Sequence, residues 1–381
     1  MTPRLIAGVR RRRCHAVVLA LALGGASVVW GREPAADAQV SAYRAAALPD
    51  AARVVLVDDL DISPGDLHAL LVGDVVGRTI DTLDPHELAA YGATRLTLSK
   101  EAFFARYRDV VDFKRHEAVR QIGRFGTPPS LEDVLGLTFE PGTLEDLRAC
   151  RPGDCKVKLP AATIARLRSD VRWTTPHWRD DCQLLLRQEL VRGVHAYATT
   201  GEAALPEYAD RKTPSRLADQ FRAIIEHSSY LERLAPELAR YLVEFPHDPL
   251  PVTDSFVYWS KEAFGLKPVV SATHVVVYRA AQHPGVMIGA SKQLYATHYL
   301  EASLGLTIAV DAEPIGGRPS IYLLYVNRSR VDALRGAFGG MRRKIARGKA
   351  DDGVRETLKG LKTRLEAEER ARPAAIAPSR D

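Results

Sequence analysis

The sequence lacks every short signature that would assign it a chemistry. There is no His-Glu-x-x-His pair, no glycine fingerprint of a dinucleotide fold and no phosphate loop of Walker spacing. Gly289-Ala-Ser-Lys-Gln293 misses the second glycine of a nucleophile elbow. His177, His195 and His227 lie on separate helical stretches without the spacing of metal ligands, so nothing implies a metal or a cofactor. Aromatic residues are only 7% of the chain and cysteines number 4. After the first thirty residues no apolar run approaches the ~20 needed to span a bilayer.

Net charge is scarce as well, once its location is considered. The chain carries 53 basic and 47 acidic residues, formally +6. Six arginines against Glu33 and Asp37 fall within residues 1–38, leaving 47 and 45 beyond them. That balance gives no electrostatic reason to expect a nucleic-acid partner.

What residues 1–38 do contain is the three-part pattern of an export signal. Arg10 to Arg13 form a basic run, Ala16 to Trp30 an uncharged and mostly apolar stretch, and Ala36-Asp37-Ala38 a small-residue cleavage site, with Val29-Trp30-Gly31 as an alternative. The expectation is a periplasmic or secreted protein beginning near Gln39. Cys14 precedes the apolar stretch, out of place for a lipoprotein anchor. In an oxidising compartment Cys150-Arg-Pro-Gly-Asp-Cys155, folded back by its Pro-Gly turn, reads as a disulfide. Cys182 is then a buried apolar residue on a helix.

Strand-like stretches occupy 75–82 and 87–98, and Ser99 can cap a helix that puts Phe103, Phe104, Tyr107, Val110 and Val111 on one face. Residues 127–250 read as a helical block, with Ser130 and Thr143 as capping-box-like starts. From 251 to 370 the chain turns to strands at 255–260, 268–279, 286–310 and 320–327, then to helices. The 286–310 stretch exceeds one ordinary strand and is expected to bend near Ser303 or Gly305. Val331, Leu334, Phe338, Met341 and Ile345 predict one face of a closing helix. Gly348 and Gly353 are expected to interrupt the helical stretch beyond it, and residues 371–381 to form a loose tail. The fold class is thus α+β: an antiparallel sheet on a long C-terminal helix, with residues 39–126 supplying the first strands and helix and 127–250 inserted.

Ala93-Thr-Arg-Leu-Thr-Leu-Ser-Lys-Glu-Ala-Phe-Phe104 resembles the strand-to-helix junction of START-like and polyketide-cyclase-like helix-grip proteins, and Ile321 to Ile345 resembles their last strand and closing helix. The two cover about a third of the chain beyond the signal. The chain is also similar to exported bacterial proteins, a likeness that implies no activity. The helix-grip resemblance implies an apolar or amphipathic ligand, such as a lipid, held between sheet and helix.

From Leu294 to Val310 the even positions are apolar and the odd ones mostly polar, with His298 the polar exception. His298, His274, Tyr278 and Lys292 therefore form a candidate ligand-binding cluster, with Leu294, Leu304, Val276 and Phe338 as its apolar wall. A histidine there orients a ligand or carries a proton; as a core residue it bonds to backbone or to a tyrosine. Trp259-Ser-Lys261 and Glu262 are candidates for a pocket mouth. Asp59-Leu-Asp61-Ile-Ser63 begins like a calcium loop, but Pro64 and Leu70 replace its glycine and closing glutamate. Gly336-Ala-Phe-Gly-Gly340 before Met341-Arg-Arg-Lys344 either approaches a headgroup or packs closely through its glycines. Three readings remain open: a binding protein for a small apolar or amphipathic molecule, a cyclase- or hydrolase-type enzyme with His298 as base, and an interaction protein docking a partner on the helical block.

Overall fold

The computed structural model describes residues 46–263, 267–334 and 339–371. The export-signal expectation, the tail after 371 and Phe338 lie outside the described residues.

A short helical stretch from Asp50 to Asp59 leads into α1 (Pro64–Leu71), which Ser63 caps by accepting from the Asp66 amide. Strands β1 (Val76–Ile80) and β2 (Glu87–Leu96) follow. Ser99 caps α2 (Lys100–Tyr107) as its position suggested, and Asp109 starts a separate turn, α3 (Val110–Phe113). That restart rotates Val111 out to solvent, against expectation.

After β3 (Val119–Arg124) comes the helical block: α4 (Pro141–Arg148), α5 (Ala161–Asp170), α6 (Trp178–Thr200), a two-residue hairpin β4 (Glu207–Tyr208) and β5 (Ser215–Arg216), then α7 (Leu217–Glu226), α8 (Ser229–Leu234) and α9 (Pro236–Glu244). Proline opens α4 and α9 where a missing amide hydrogen costs nothing. Thr143 consequently lies inside α4 and is not its cap.

Strands β6 (Asp254–Glu262), β7 (Val269–Arg279), β8 (Val286–Ala296), β9 (Leu300–Ile315) and β10 (Arg318–Val331) complete one antiparallel sheet of eight in the order β1-β2-β10-β9-β8-β7-β6-β3. The 286–310 stretch is a hairpin and not a bent strand. It turns at Thr297–Tyr299, where Tyr299 takes a left-handed φ of 62°, after a register irregularity at Ala272/Thr273 opposite β8. The single register assumed through His298 does not exist.

The last element, α10 (Gly339–Ala371), runs unbroken through Gly348 and Gly353. Met341 and Ile345 are 68% and 57% exposed, so the early stripe does not pack. Val354, Leu358, Leu361 and Leu365 are the residues that face protein, over β1 and β2. A Cβ at Gly92 would overlap Val354 and Leu358, so the strand glycine lets the helix approach.

The alternation of β7 to β10 gives the sheet two different faces. On one, Val276, Ile288, Leu304, Leu306, Ile308 and Leu324 are buried beneath the N-terminal helices and α7 to α9, while Val270, Ala272 and Leu294 lie under α4 to α6. On the other, Val275, Val277, Met287, Ala309, Ile321 and Leu323 pack against α2 and α10. The expected apolar wall is therefore occupied: Leu304, Val276 and Leu294 lie under the helical block, on the face away from the closing helix.

Candidate functional site

The structure brings two of the sequence-derived site residues together and separates the others. His274 and Lys292 are direct cross-strand partners on the face under the helical block. The hydroxyl of Tyr197, from α6, meets His274 Nδ1 at 3.0 Å, and Ser255 Oγ meets Nε2 at 2.8 Å. Lys292 donates to Glu202 Oε1 at 2.7 Å and to the Leu242 carbonyl at 2.5 Å, and its ammonium stands 4.3 Å from the Phe221 ring centroid. Burial, and then the Lys292 charge, pushes the His274 pKa down to about 3. Burial lowers the Lys292 pKa too, against the pull of Glu202. His274 is 2% exposed and Lys292 fully buried. This is a satisfied polar cluster that ties α6 and α9 to the sheet.

Tyr278 lies four residues along β7 from His274, about 13 Å away at strand rise, and donates to Glu237 of α9. His298 sits in the β8–β9 turn, where Nδ1 is 3.1 Å from the Lys156 carbonyl oxygen and Nε2 is 3.5 Å from Thr143 Oγ1. Burial lowers its pKa. Both ring nitrogens are engaged by the helical block.

The opposite face has a different character. Where α2–α3 and α10 leave the sheet uncovered a strip of floor is half-buried, although Arg364 of α10 bonds the Asp112 and Phe113 carbonyls of α3 and Arg106 of α2 pairs with Glu368. Ser271, Ser291, Ser303, Tyr325 and Asn327 are all half-buried there, whereas their neighbours on the other face, Ala290, Leu304 and Val326, are buried. Ser291, Gly305 and Asn327 align in one row across β8, β9 and β10. Phe113, Ile122, Val354 and Leu361 are partly buried apolar residues on the same face. This strip is hydroxyl-rich, with partly buried apolar side chains on the same face.

At one end of it Lys114, just after α3, donates to Glu262 Oε1 at 2.8 Å and to the Tyr258 hydroxyl at 3.1 Å. Ser260 Oγ also donates to Glu262 Oε1, at 2.7 Å. Burial works against the Lys114 charge, but Glu262, and then Tyr258, outweigh it and hold the pKa well above the ordinary lysine value. Burial likewise works against the Glu262 charge, and Lys114 outweighs it and keeps that pKa low. Although burial is the largest single influence on Lys114, 30% of its side chain remains exposed. Further along, the Tyr107 hydroxyl lies 3.1 Å from Ser291 Oγ. Burial raises the Tyr325 pKa to about 12, while Lys114, Tyr258 and Tyr107 are near enough to influence it.

Sequence reasoning placed Glu262 at a pocket mouth but missed Lys114, Tyr258, Ser291 and Tyr325. The available signal was the polar odd-numbered positions of β8 and β9, which read as a solvent face. Their partial burial depends on α10 and α2, which no strand periodicity reports.

The remaining candidates take other roles. Asp59 accepts from Ser229 and Arg233, and Ser63 caps α1, so the calcium-like stretch acts as a helix start. No group of three His, Cys, Asp or Glu side chains among the described residues is placed to hold a metal ion. No helix among the described residues is long and apolar enough to cross a membrane. Arg343 donates to Thr82 and Asp84, and Arg347 to Thr79 and Asp81, so the basic start of α10 clasps β1 and its loop. Cys150 and Cys155 are disulfide-bonded, and Cys182 is free and buried. On the helical block, Pro129, Leu131, Gln188, Val191, Arg192 and His195 line an open cleft of about 260 Å³.

No family model matches the chain, and no curated protein matches it. Among solved structures, the crystal structure of TTHA0849 from Thermus thermophilus is similar over 31% of this chain and 73% of that chain, at 16% identity and a TM-score of 0.22, a likeness that carries no argument about function.

Proposed function

We propose that this is an exported protein that binds a small amphipathic molecule in the trough between α2–α3, α10 and the polar face of the sheet. The observation that carries the reading is the partly exposed Lys114–Glu262 pair on the same face as the half-buried Tyr325 and the apolar Phe113, Ile122 and Leu361. A charged pair beside partly buried apolar side chains offers the few placed polar contacts among apolar ones that ligand sites use. The helix-grip resemblance is supported by the strand β2 that runs into the capped helix α2, and by a last strand followed by a long helix over the sheet. Export rests on the pattern of residues 1–38, and the Cys150–Cys155 bond accords with an oxidising compartment.

The test is binding of the neutral fluorophore N-phenyl-1-naphthylamine. An added Cβ at Gly305 meets nothing closer than 3.7 Å, so Gly305→Leu roots a bulky side chain on the trough floor between Ser291 and Asn327. Leu304→Ala, its neighbour, removes packing from the opposite face. The reading expects Gly305→Leu to lose the fluorophore and Leu304→Ala to keep it. Retention of the probe by a folded Gly305→Leu protein, or no binding by the wild type, overturns it.

A further inference from the structure

We propose that the trough's ligand presents a neutral oxygen acceptor, a ketone or ester carbonyl on an otherwise apolar skeleton, and that Tyr258 and Lys114 donate to it. This rests on the trough being the binding site and adds the chemistry of what it takes.

The argument is a count of donors and charges. A lysine ammonium has three N–H groups and a tyrosine hydroxyl one. Lys114 uses one on Glu262 and one on Tyr258, and no acceptor for the third occurs among the described residues. Tyr258 accepts from Lys114 through its oxygen, which leaves its own proton unspent. The Tyr325 hydroxyl, on the half-exposed floor, makes no hydrogen bond among the described residues. Tyr107, by contrast, is engaged with Ser291. The Lys114–Tyr258 pair thus keeps two donors without acceptors.

Charge decides which acceptor. Lys114 is neutralised by Glu262 at 2.8 Å, so a carboxylate brought to the ammonium also meets the Glu262 carboxylate, and an incoming cation meets the ammonium. A neutral carbonyl escapes both penalties and satisfies donors that bound apolar surface would otherwise strand. Phe113, Ile122 and Leu361 offer no hydrogen bonds, which suits a ligand whose remainder is hydrocarbon.

The experiment uses the intact protein and matched competitors for bound N-phenyl-1-naphthylamine: 2-undecanone, 2-undecanol and undecanoate. The ketone is expected to displace the probe at concentrations about tenfold lower than the alcohol or the acid, the scale of one to two net hydrogen bonds. Tyr258→Phe is expected to reduce that preference several-fold, read as the ratio of competitor constants within each protein so that any change in the probe's own affinity cancels. Tighter binding of undecanoate overturns the charge argument, and tighter binding of the alcohol makes Glu262 the recognition group. Probe binding with no preference among the three, or a preference untouched by Tyr258→Phe, removes this inference and leaves the trough. Absence of probe binding removes the trough itself.

Discussion

Lowering the pH should unfold this protein partly through one histidine. His274 is 2% exposed, and burial and the neighbouring Lys292 hold its pKa near 3 against an ordinary 6.5. Below pH 6.5 the unfolded chain takes up a proton that the folded chain refuses until about pH 3. The unfolded state therefore binds more protons throughout that window, and stability falls as the pH falls. At ~1.4 kcal/mol per pH unit, a window of about 3.5 units amounts to about 5 kcal/mol, of which about 3 is reached by pH 4. Carboxylates contribute their own acid dependence, so the informative quantity is a difference between two proteins. His274→Gln retains polar ends for Tyr197 and Ser255 but cannot titrate. Urea unfolding at pH 7, 6, 5 and 4 is expected to show the variant less stable at pH 7. The gap should close by about 3 kcal/mol at pH 4. A gap that stays constant within about 1 kcal/mol refutes the neutral buried histidine.

Three other perturbations separate stability from binding. Glu202→Gln leaves the fully buried Lys292 without its counter-charge and is expected to cost about 3–5 kcal/mol at neutral pH, with partial recovery as rising pH approaches the ordinary lysine range and the lysine loses its proton; an unchanged denaturation midpoint contradicts the pairing. Cys150→Ser with Cys155→Ser opens a loop of sequence separation 5 and should lower stability by about 2 kcal/mol on chain-entropy grounds, without affecting probe binding, both measurable in one urea series. Gly92→Leu should drive α10 off β2 and reduce the melting temperature, whereas Gly340→Ala, where an added Cβ meets nothing, should not.

Much of this architecture is legible in the residues themselves. Ser99 announces α2, the Val- and Tyr-rich stretches announce the late strands, and the spacing of the two cysteines announces their bond. The strand alternation also separates the two faces correctly along β9. What periodicity does not encode is which layer covers which face. Leu304 and Ile308 say only that something apolar covers them, and α7 and the N-terminal helices do so as well as α10 would have done. The turn at Thr297–Tyr299 was hidden because a tyrosine at positive φ carries no turn signature, unlike a glycine. His298 and His274 looked exceptional as polar residues on an apolar face, and each is spent on Thr143, Lys156, Tyr197 or Ser255, partners distant in sequence. Lys114 escaped notice for the complementary reason: nothing local distinguishes it from any exposed lysine until β6 brings Tyr258 and Glu262 beside it.

The most direct measurement is the anomalous bromine signal from crystals of the whole protein soaked with 11-bromo-2-undecanone. A peak is expected on the side of the sheet that carries α10, toward Leu361 and away from the Lys114–Tyr258 end that holds the ketone. A peak beneath the helical block beside Leu304, or confined to the cleft of Leu131 and Val191 on α6, would contradict the account.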